Sequence, residues 1–392
     1  MKLKPIHPFA ARMAPEIAFE ALDGLNKEAI ILDPMTGSGT VMKTISLLGF
    51  DGYGIDIDPL SIMLTEAWTM PVNEVGLRKK IESVIKRSRE LDETSIHLDW
   101  IDTDRSTEDF ISFWFHPIQI YQLRQLASVI HADQGKYSSI LKVLLSKLII
   151  TKRKGASLAA DISHSRPHRV RSYNDFDVFE EFEKASKRLI RVCLENPPKG
   201  KVKVQLGDAR KLRLKSESVD SIITSPPYLN AIDYMRGHKL SLVWLGHKIS
   251  SLSQIRSSGV GAERAPDTEQ DIKKGLKLTN GIVSKSSLPN RKVNMICRYA
   301  VDMNKIFAES HRVLKRDRKA TFVIGNTYQN GVLIDNAAIA SRIAYLHGFK
   351  LSMIKEREIP ENRRYLPPPN SKEQSNLKHR MKSESVMTFL KI

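Results

Sequence analysis

The stretch EAIILDPMTGSGTVMKTISLLGFDGYGIDIDP, from Glu28 to Pro59, decides the fold. An apolar run ends on Asp33-Pro34 and meets a glycine-rich turn. A helical pattern, VMKTISLLGF, follows. A second short apolar run then ends in the acids Asp56 and Asp58. Strand, glycine turn, helix and strand in this order open a parallel α/β unit.

The glycine turn has three ligand readings. As a phosphate loop counted from Gly37, it places Lys43 and Thr44 correctly, but Met42 stands where that loop needs glycine. As a dinucleotide fingerprint it begins with Gly37 and Gly39 and has an acid, Asp56, about 20 residues on, but Met42 again replaces the third glycine. As an S-adenosylmethionine loop its glycines let the backbone approach the amino-acid end of the cofactor. Asp56 would then take the ribose hydroxyls, and Asp208 in QLGDA, after a third strand, the adenine edge. A tight turn without a ligand is the plain alternative, and the strand-terminal Asp33-Pro34 speaks against it.

Outward from this unit, IAFEALDGL (Ile17–Leu25) reads as a short helix. From about Leu60 to Pro198 the periodicity is helical, with no convincing strand. The sheet resumes with KVKVQLGDA and SVDSIITSPPY, followed by a helix carrying YMRGHKLSLVWLG. A polar stretch over 250–291 reads as a functional or partly disordered loop. A long helix, a strand KATFVIGN, a helix NAAIASRIAYLHGF and two last strands, KLSMIKEREI and SVMTFLKI, complete the chain. The last two are expected to pair antiparallel at the sheet edge.

The bulk numbers fit a globular protein with a polyanionic partner. The 392 residues are 41% hydrophobic and 27% charged, and the net charge of +18 makes nucleic acid the first suspect. No window has the roughly 18 apolar residues of a spanning helix. MKLKPIHPFAARMAPE lacks the apolar core of a signal peptide. The expectation is a cytoplasmic protein with no membrane partner. The two cysteines, Cys193 and Cys297, make neither a disulfide framework nor a zinc cluster. The histidines His7, His164 and His168 lack ligand spacing, and no metal is assigned.

Two motifs carry a family resemblance. DPMTGSGT resembles the D-P-F-x-G-S-G-T signature of the DNA amino-methyltransferases, with Met35 at the usual aromatic position. TSPPY, Thr224 to Tyr228, resembles their [S/D/N]-P-P-[Y/F/W] motif. GIDIDP and GDARKL stand between them in the expected order, and IHPFAARMAPE is similar to the motif that precedes the glycine loop. The resemblance covers residues 5–60 and 200–330 well. It implies a class I S-adenosylmethionine-dependent, Rossmann-like α/β fold with a seven-stranded, mainly parallel sheet. The catalytic domain would comprise 1–62 and 199–392, and 63–198 would be a helical insertion and candidate target-recognition region. The insertion precedes GDARKL rather than following it, which leaves open which segment reads the target.

The resemblance also implies site residues. Phe9, Asp33, Pro34, Met35, Thr36, Gly37, Gly39, Thr40, Asp56, Asp208 and Ala209 would hold S-adenosylmethionine; Ser225, Pro226, Pro227 and Tyr228 would be catalytic. Serine at the first position of that tetrapeptide goes mostly with cytosine-N4 methylation in the family, and Asp or Asn with adenine-N6. The expected function is therefore site-specific methylation of cytosine N4 in double-stranded DNA, in a restriction-modification setting. Adenine-N6 methylation, an RNA guanine-N2 methylase and an inactive nucleic-acid-binding module are the alternatives.

The residues suit that chemistry. An exocyclic amine is a poor nucleophile because its lone pair is delocalised into the ring. The Ser225 hydroxyl and the Pro226 carbonyl, as acceptors for the amine hydrogens, would draw it towards tetrahedral geometry, and the prolines fix the backbone that aims them. Tyr228 offers a face to a base extruded from the duplex. Carbon-5 methylation needs a thiolate nucleophile, which in that family follows a proline. Neither VCL around Cys193 nor ICR around Cys297 supplies one. For phosphate contact, TKRKGASLAADISHSRPHRVRS offers Lys152, Arg153, Lys154, Arg166, Arg169 and Arg171; a solvated basic loop is the plain alternative. Arg256, Arg264, Lys273, Lys274 and Lys277 form a second candidate group, and Arg363 and Arg364 a third.

Overall fold

A computed structural model of the chain describes residues 3–10, 12–151, 154–160, 167–229, 233–262, 268–283, 288–329, 332–360 and 382–392. The first half runs α1 (Pro15–Leu22), β1 (Ile30–Asp33), α2 (Thr40–Leu48), β2 (Asp51–Asp56), α3 (Pro59–Thr69), α4 (Glu74–Arg89), α5 (Asp99–Asp102), α6 (Arg105–Trp114), α7 (Pro117–His131) and α8 (Ser138–Ile149). The short strands β3 (Ala159–Ala160) and β4 (His168–Arg169) lead to α9 (Val178–Glu195), β5 (Val202–Leu206) and β6 (Val219–Thr224). Then come α10 (Tyr234–Leu242), α11 (Ile249–Ser258), α12 (Glu269–Leu278), α13 (Asn290–Val313) and β7 (Leu314–Ile324). The chain closes with β8 (Thr327–Gln329), β9 (Val332–Ile334), α14 (Asn336–Leu346), β10 (Phe349–Glu358) and β11 (Ser383–Lys391).

Seven strands form one sheet in the order β10-β11-β7-β6-β1-β2-β5. β5, β2, β1, β6 and β7 are parallel to their neighbours, and β11 is inserted antiparallel between β7 and β10. The strand order reverses at β1, which lies between β2 and β6. Every residue of β6 is buried, as a central strand covered on both faces requires. β5 is the opposite case: Lys203 and Gln205 lie exposed along its outer edge, where charge discourages further pairing.

The core has distinct parts. α13 and α14 cover one face, where Phe307, Phe322, Phe349 and Phe389 pack together, the first two stacked at 4.4 Å. α1 and α2 cover the other face over Ile31, Ile45 and Phe50. A third cluster fills the helices α3 to α9; α10 contributes Leu240 and Leu242 to it, and the turn after α10 contributes Val243 and Trp244. The Trp100 indole N–H donates to the Val243 carbonyl at 2.7 Å, and Phe115 meets Trp244 edge-on. The helix that follows the Ser-Pro-Pro-Tyr segment is thereby built into the core of the insertion.

Several sequence expectations hold and others need correction. The final strands pair antiparallel at the edge, as expected. Position 63 falls inside α3, whose Leu64 and Trp68 join the insertion core while its Thr65 faces α2. Burying each of those two apolar side chains contributes about 1.5–3 kcal/mol, so α3 belongs to both regions. The insertion also carries the β3–β4 pairing, too short to mark itself in the sequence. The stretch 250–291 is not simply a loop, because it contains α11 and α12. α12 starts at a Thr268 cap, whose hydroxyl accepts from the Asp271 N–H at 3.1 Å. It packs close on α13 because Gly275 has no Cβ; an added one would overlap Cys297.

Candidate active site

Four parallel strands, β5, β2, β1 and β6, bring their C-terminal ends together, and ligands of open α/β sheets bind at such a reversal of strand order. A cavity of about 260 Å³ lies there. Of the residues expected from the sequence, Phe9, Asp33, Pro34, Met35, Thr36, Gly37, Thr40, Asp56, Asp208, Ala209, Ser225, Pro227 and Tyr228 line it. Gly39 does not. With φ of +78° it caps the start of α2, and an added Cβ would lie 2.9 Å from Thr65 Oγ1 on α3. Its glycine is needed for helix packing behind the cavity rather than for close approach of a ligand. Pro226 is buried and outside the lining as well.

Two carboxylates stand at the ends of β1 and β2. Asp33 Oδ1 accepts from the Thr224 hydroxyl at 2.8 Å and from the Met35 N–H at 3.2 Å. Asp56 accepts from the Gly37 N–H at 2.8 Å and the Asp58 N–H at 2.9 Å. Burial pushes Asp33 up to about 7, against the pull of its hydrogen bonds. Burial, with the charge of Asp58, likewise pushes Asp56 up to about 7. Buried acids held at the edge of ionisation suit a ligand that brings positive charge and hydroxyl donors. S-adenosylmethionine, with its sulfonium, ammonium and ribose diol, has that chemistry.

At the end of β5 the electrostatics are opposite. Asp208 faces Arg210, whose Nε and Nη2 donate to Asp208 Oδ1 at 3.0 Å and Oδ2 at 2.7 Å. Arg210 also donates to Asp302 Oδ1 at 2.8 Å and to the Ser258 carbonyl at 2.7 Å. Burial would raise Asp208, but the Arg210 bonds outweigh it and hold the carboxyl below its ordinary range. Asp208 lines the cavity as expected, with both oxygens already engaged by the arginine. Arg210 was not singled out from the sequence; its only signal is its place two residues after the acid in GDAR.

Ser225 follows the last residue of β6, half-buried in the cavity wall. It lies within hydrogen-bond reach of the Tyr228 phenol. That phenol donates to Glu384 Oε2 on β11 at 3.1 Å, and Glu384 Oε1 accepts from Arg357 on β10 at 2.6 Å. Burial, reinforced by the Glu384 charge, pushes the phenol well above its ordinary range. The antiparallel edge of the sheet therefore fixes the tyrosine ring beside the serine. Glu384 has no sequence signal beyond being the single acid of β11.

A third group joins the N-terminal segment to α10. Phe9 stacks on Tyr234 with centroids 5.5 Å apart and contacts the His238 ring at 5.0 Å. His238 Nδ1 lies 2.5 Å from Asp58 Oδ2, both residues being buried. Asp58 Oδ1 also caps α3 by accepting from the Leu60 N–H at 2.9 Å. Tyr234 and His238, four residues apart on one face of α10, were not singled out from the sequence.

The candidate phosphate contacts are scattered. Lys152, Arg153 and Arg166 lie outside the described residues, as do Arg264, Arg363 and Arg364. Lys154 pairs with Asp175, and Arg169 lies over the Phe113 ring at 5.0 Å. Arg171 is half-buried, and none of these lines the cavity. Arg256 does line it, paired with Asp233. Among the described residues no cluster of acids, histidines or cysteines is arranged to hold a metal ion, and no helix is long and apolar enough to cross a membrane.

The order β5-β2-β1-β6-β7-β11-β10 with β11 antiparallel, and a cavity walled by acids at the ends of β1, β2 and β5, define the class I methyltransferase fold. More particularly, the chain is similar to the Type II methyltransferase M.MvaI of Kocuria varians, 24% identical across 93% of this chain and 85% of that one. It is also similar to the Type II methyltransferases M.BsoBI of Geobacillus stearothermophilus (24% identical, 83% and 74% of the two chains) and M.AvaI of Anabaena variabilis (22%, 83% and 74%). The similarity to these Type II methyltransferases runs over most of the chain, beyond the motifs that first pointed to them. No family model matches it. Solved structures that overlay on it do so loosely. They include a SAM-dependent methyltransferase of Methanosarcina mazei, at TM-score 0.34 and 9% identity over 96% of this chain and 98% of that one. The rRNA methyltransferase aviRa of Streptomyces viridochromogenes overlays at TM-score 0.34 and 11% identity over 99% and 86%.

Proposed function

We propose that this protein transfers a methyl group from S-adenosylmethionine to the exocyclic N4 amine of cytosine at a specific site in duplex DNA, as the modification enzyme of a restriction-modification system. The observation that carries this reading is the sharing of one cavity by the Asp33 and Asp56 carboxylates and by Ser225, Pro227 and Tyr228. The net charge of +18 and the similarity to Type II methyltransferases support a DNA substrate. Ser225, rather than Asp or Asn, favours cytosine.

S-adenosylmethionine would supply an electrophilic methyl on a sulfonium. Asp56 and the backbone around Gly37 would hold its ribose, Asp33 its amino-acid end, and Ala209 with the Asp208–Arg210 pair would border the adenine. Phe9, stacked on Tyr234 beside the glycine turn, lines the cavity. The Ser225 hydroxyl and the Pro226 carbonyl accept the amine hydrogens and draw the nitrogen lone pair out of conjugation. Tyr228, tethered through Glu384, holds the base in plane. No strong base is needed beforehand, because the amine becomes acidic only as it gains the methyl.

Incubation with methyl-labelled donor and either duplex DNA or RNA, followed by digestion to nucleosides, tests the proposal. The expected label is in N4-methylcytosine from DNA. Label confined to N6-methyladenine would replace the cytosine reading, and label confined to RNA would overturn the DNA reading.

A further inference from the structure

A strip of alternating cations and aromatic rings leaves the cavity along the insertion. Arg236 on α10 lines the cavity and is exposed. One turn further along α10, Lys239 lies over the Phe110 ring of α6 at 5.0 Å. Phe110 contacts Trp114 at 6.2 Å, and Trp114 meets Phe113 edge-on at 5.1 Å. Phe113 in turn carries the Arg169 guanidinium over its face at 5.0 Å. Beyond it lie the exposed Val170 and Tyr173, the latter edge-on to His116.

This face is built, not incidental. The Leu158 N–H donates to the Trp114 carbonyl at 2.8 Å, and the Val170 N–H to the Leu158 carbonyl at 3.0 Å. The end of α6 is thus bonded to the 157–160 segment, which pairs in turn with β4 and sets Arg169 beside Phe113. α11 ties the strip to the cavity from the other side. Its first N–H, at Ile249, donates to Thr107 of α6 at 3.0 Å, and its last turn, Ile255 to Ser258, lines the cavity. Phe113 is 50% exposed and Tyr173 60% exposed, so the strip presents these rings to solvent.

We propose that this strip is the track for the DNA that flanks the extruded base, a partner class that rests on the function proposed above. Arg236, Lys239 and Arg169 take phosphates along the backbone, and Phe113 presents its ring to a sugar or an unstacked base. The alternation is what nucleic-acid tracks use: cations follow the backbone, and rings accept any base because every base has a π-face. A protein partner would instead want a closed apolar patch, and the three cations on the strip speak against that. The charge balance of the chain, +18, has the sign the track requires.

Phe113→Ala and Arg169→Ala, with Phe113→Tyr as the conservative control, test the assignment. Affinity for a cognate duplex would be titrated over a series of salt concentrations, beside S-adenosylmethionine affinity and thermal unfolding. Phe113→Ala should weaken DNA binding about tenfold, with Phe113→Tyr restoring it. Arg169→Ala should lower the slope of log affinity against log salt by about one. Cofactor affinity and turnover at saturating DNA should stay at the wild-type level. Wild-type DNA affinity and salt slope in both variants would overturn the track while leaving the DNA reading intact. Failure of the unmodified protein to bind any DNA would remove both.

Discussion

The two ends of the cavity hold their acids in opposite states. Asp33 and Asp56 are pushed up to about 7 by burial, with backbone N–H groups and a hydroxyl as their donors. Asp208, one strand further out, is held low by a forked arginine bridged to Asp302. One end is electrostatically unfinished and gains from a cation; the other is already neutralised and serves by shape. A sulfonium donor would therefore be recognised mainly at the β1 and β2 ends.

The largest effect is expected away from both acids. Ser225→Ala should slow methyl transfer at least about a hundredfold, the scale for removing one aimed hydrogen-bonding group at a reacting centre. Calorimetry should show cofactor affinity near that of the unmodified protein; loss of cofactor binding would mean that the serine belongs to the acid end. Next comes a direct contest between the ends. Asp56→Asn should weaken S-adenosylmethionine by about ten- to a hundredfold, the range for a charge-assisted hydrogen bond. Asp208→Asn should cost less, because Arg210 already meets that charge. Equal losses would erase the contrast.

A pH titration sharpens it further. Both acids have folded-state pKa values near 7, above the 3.8 of an unperturbed aspartate. The stability they lend the cofactor-free protein is fully present below about pH 4 and lost as pH rises through about 7. A bound cation pulls both back toward ionisation, so cofactor affinity should rise between pH 6 and pH 8 and binding should release protons. Calorimetry in buffers of different ionisation enthalpy measures that release; affinity independent of pH would contradict the assignment. The smallest expected effect is structural: Gly39→Ala should destabilise the fold by about 1–3 kcal/mol, read as a lowered denaturation midpoint, because its φ is +78° and Thr65 fills the space.

What the sequence made legible follows from how local each signal is. Asp33, Gly37 and Asp56 belong to one strand–turn–helix–strand unit, so their spacing alone brings them together. Ser225 to Tyr228 joins them because β6 pairs directly with β1. Glu384, His238 and Arg210 act through partners far away in sequence, 156, 180 and 92 residues for Tyr228, Asp58 and Asp302, and no periodicity encodes such a meeting. α11 and α12 were hidden for another reason: serine and lysine dominate them, and only Leu252 of α11 and Gly275 with Leu278 of α12 are buried. The aromatic strip depends on the tertiary meeting of α6, α10 and β4, so the basic run around Arg169 reads in the sequence as charge without the rings that give it a purpose.

The assignment of the reacting nitrogen rests on one serine, and one measurement addresses it directly. Duplex DNA with ¹⁵N in the cytosine amines would be methylated with ¹³C-methyl donor and examined by NMR. A one-bond ¹³C–¹⁵N coupling at cytosine is the expected result. A ¹³C-methyl signal without that coupling, on the cytosine ring carbon or on adenine, would contradict transfer to cytosine N4.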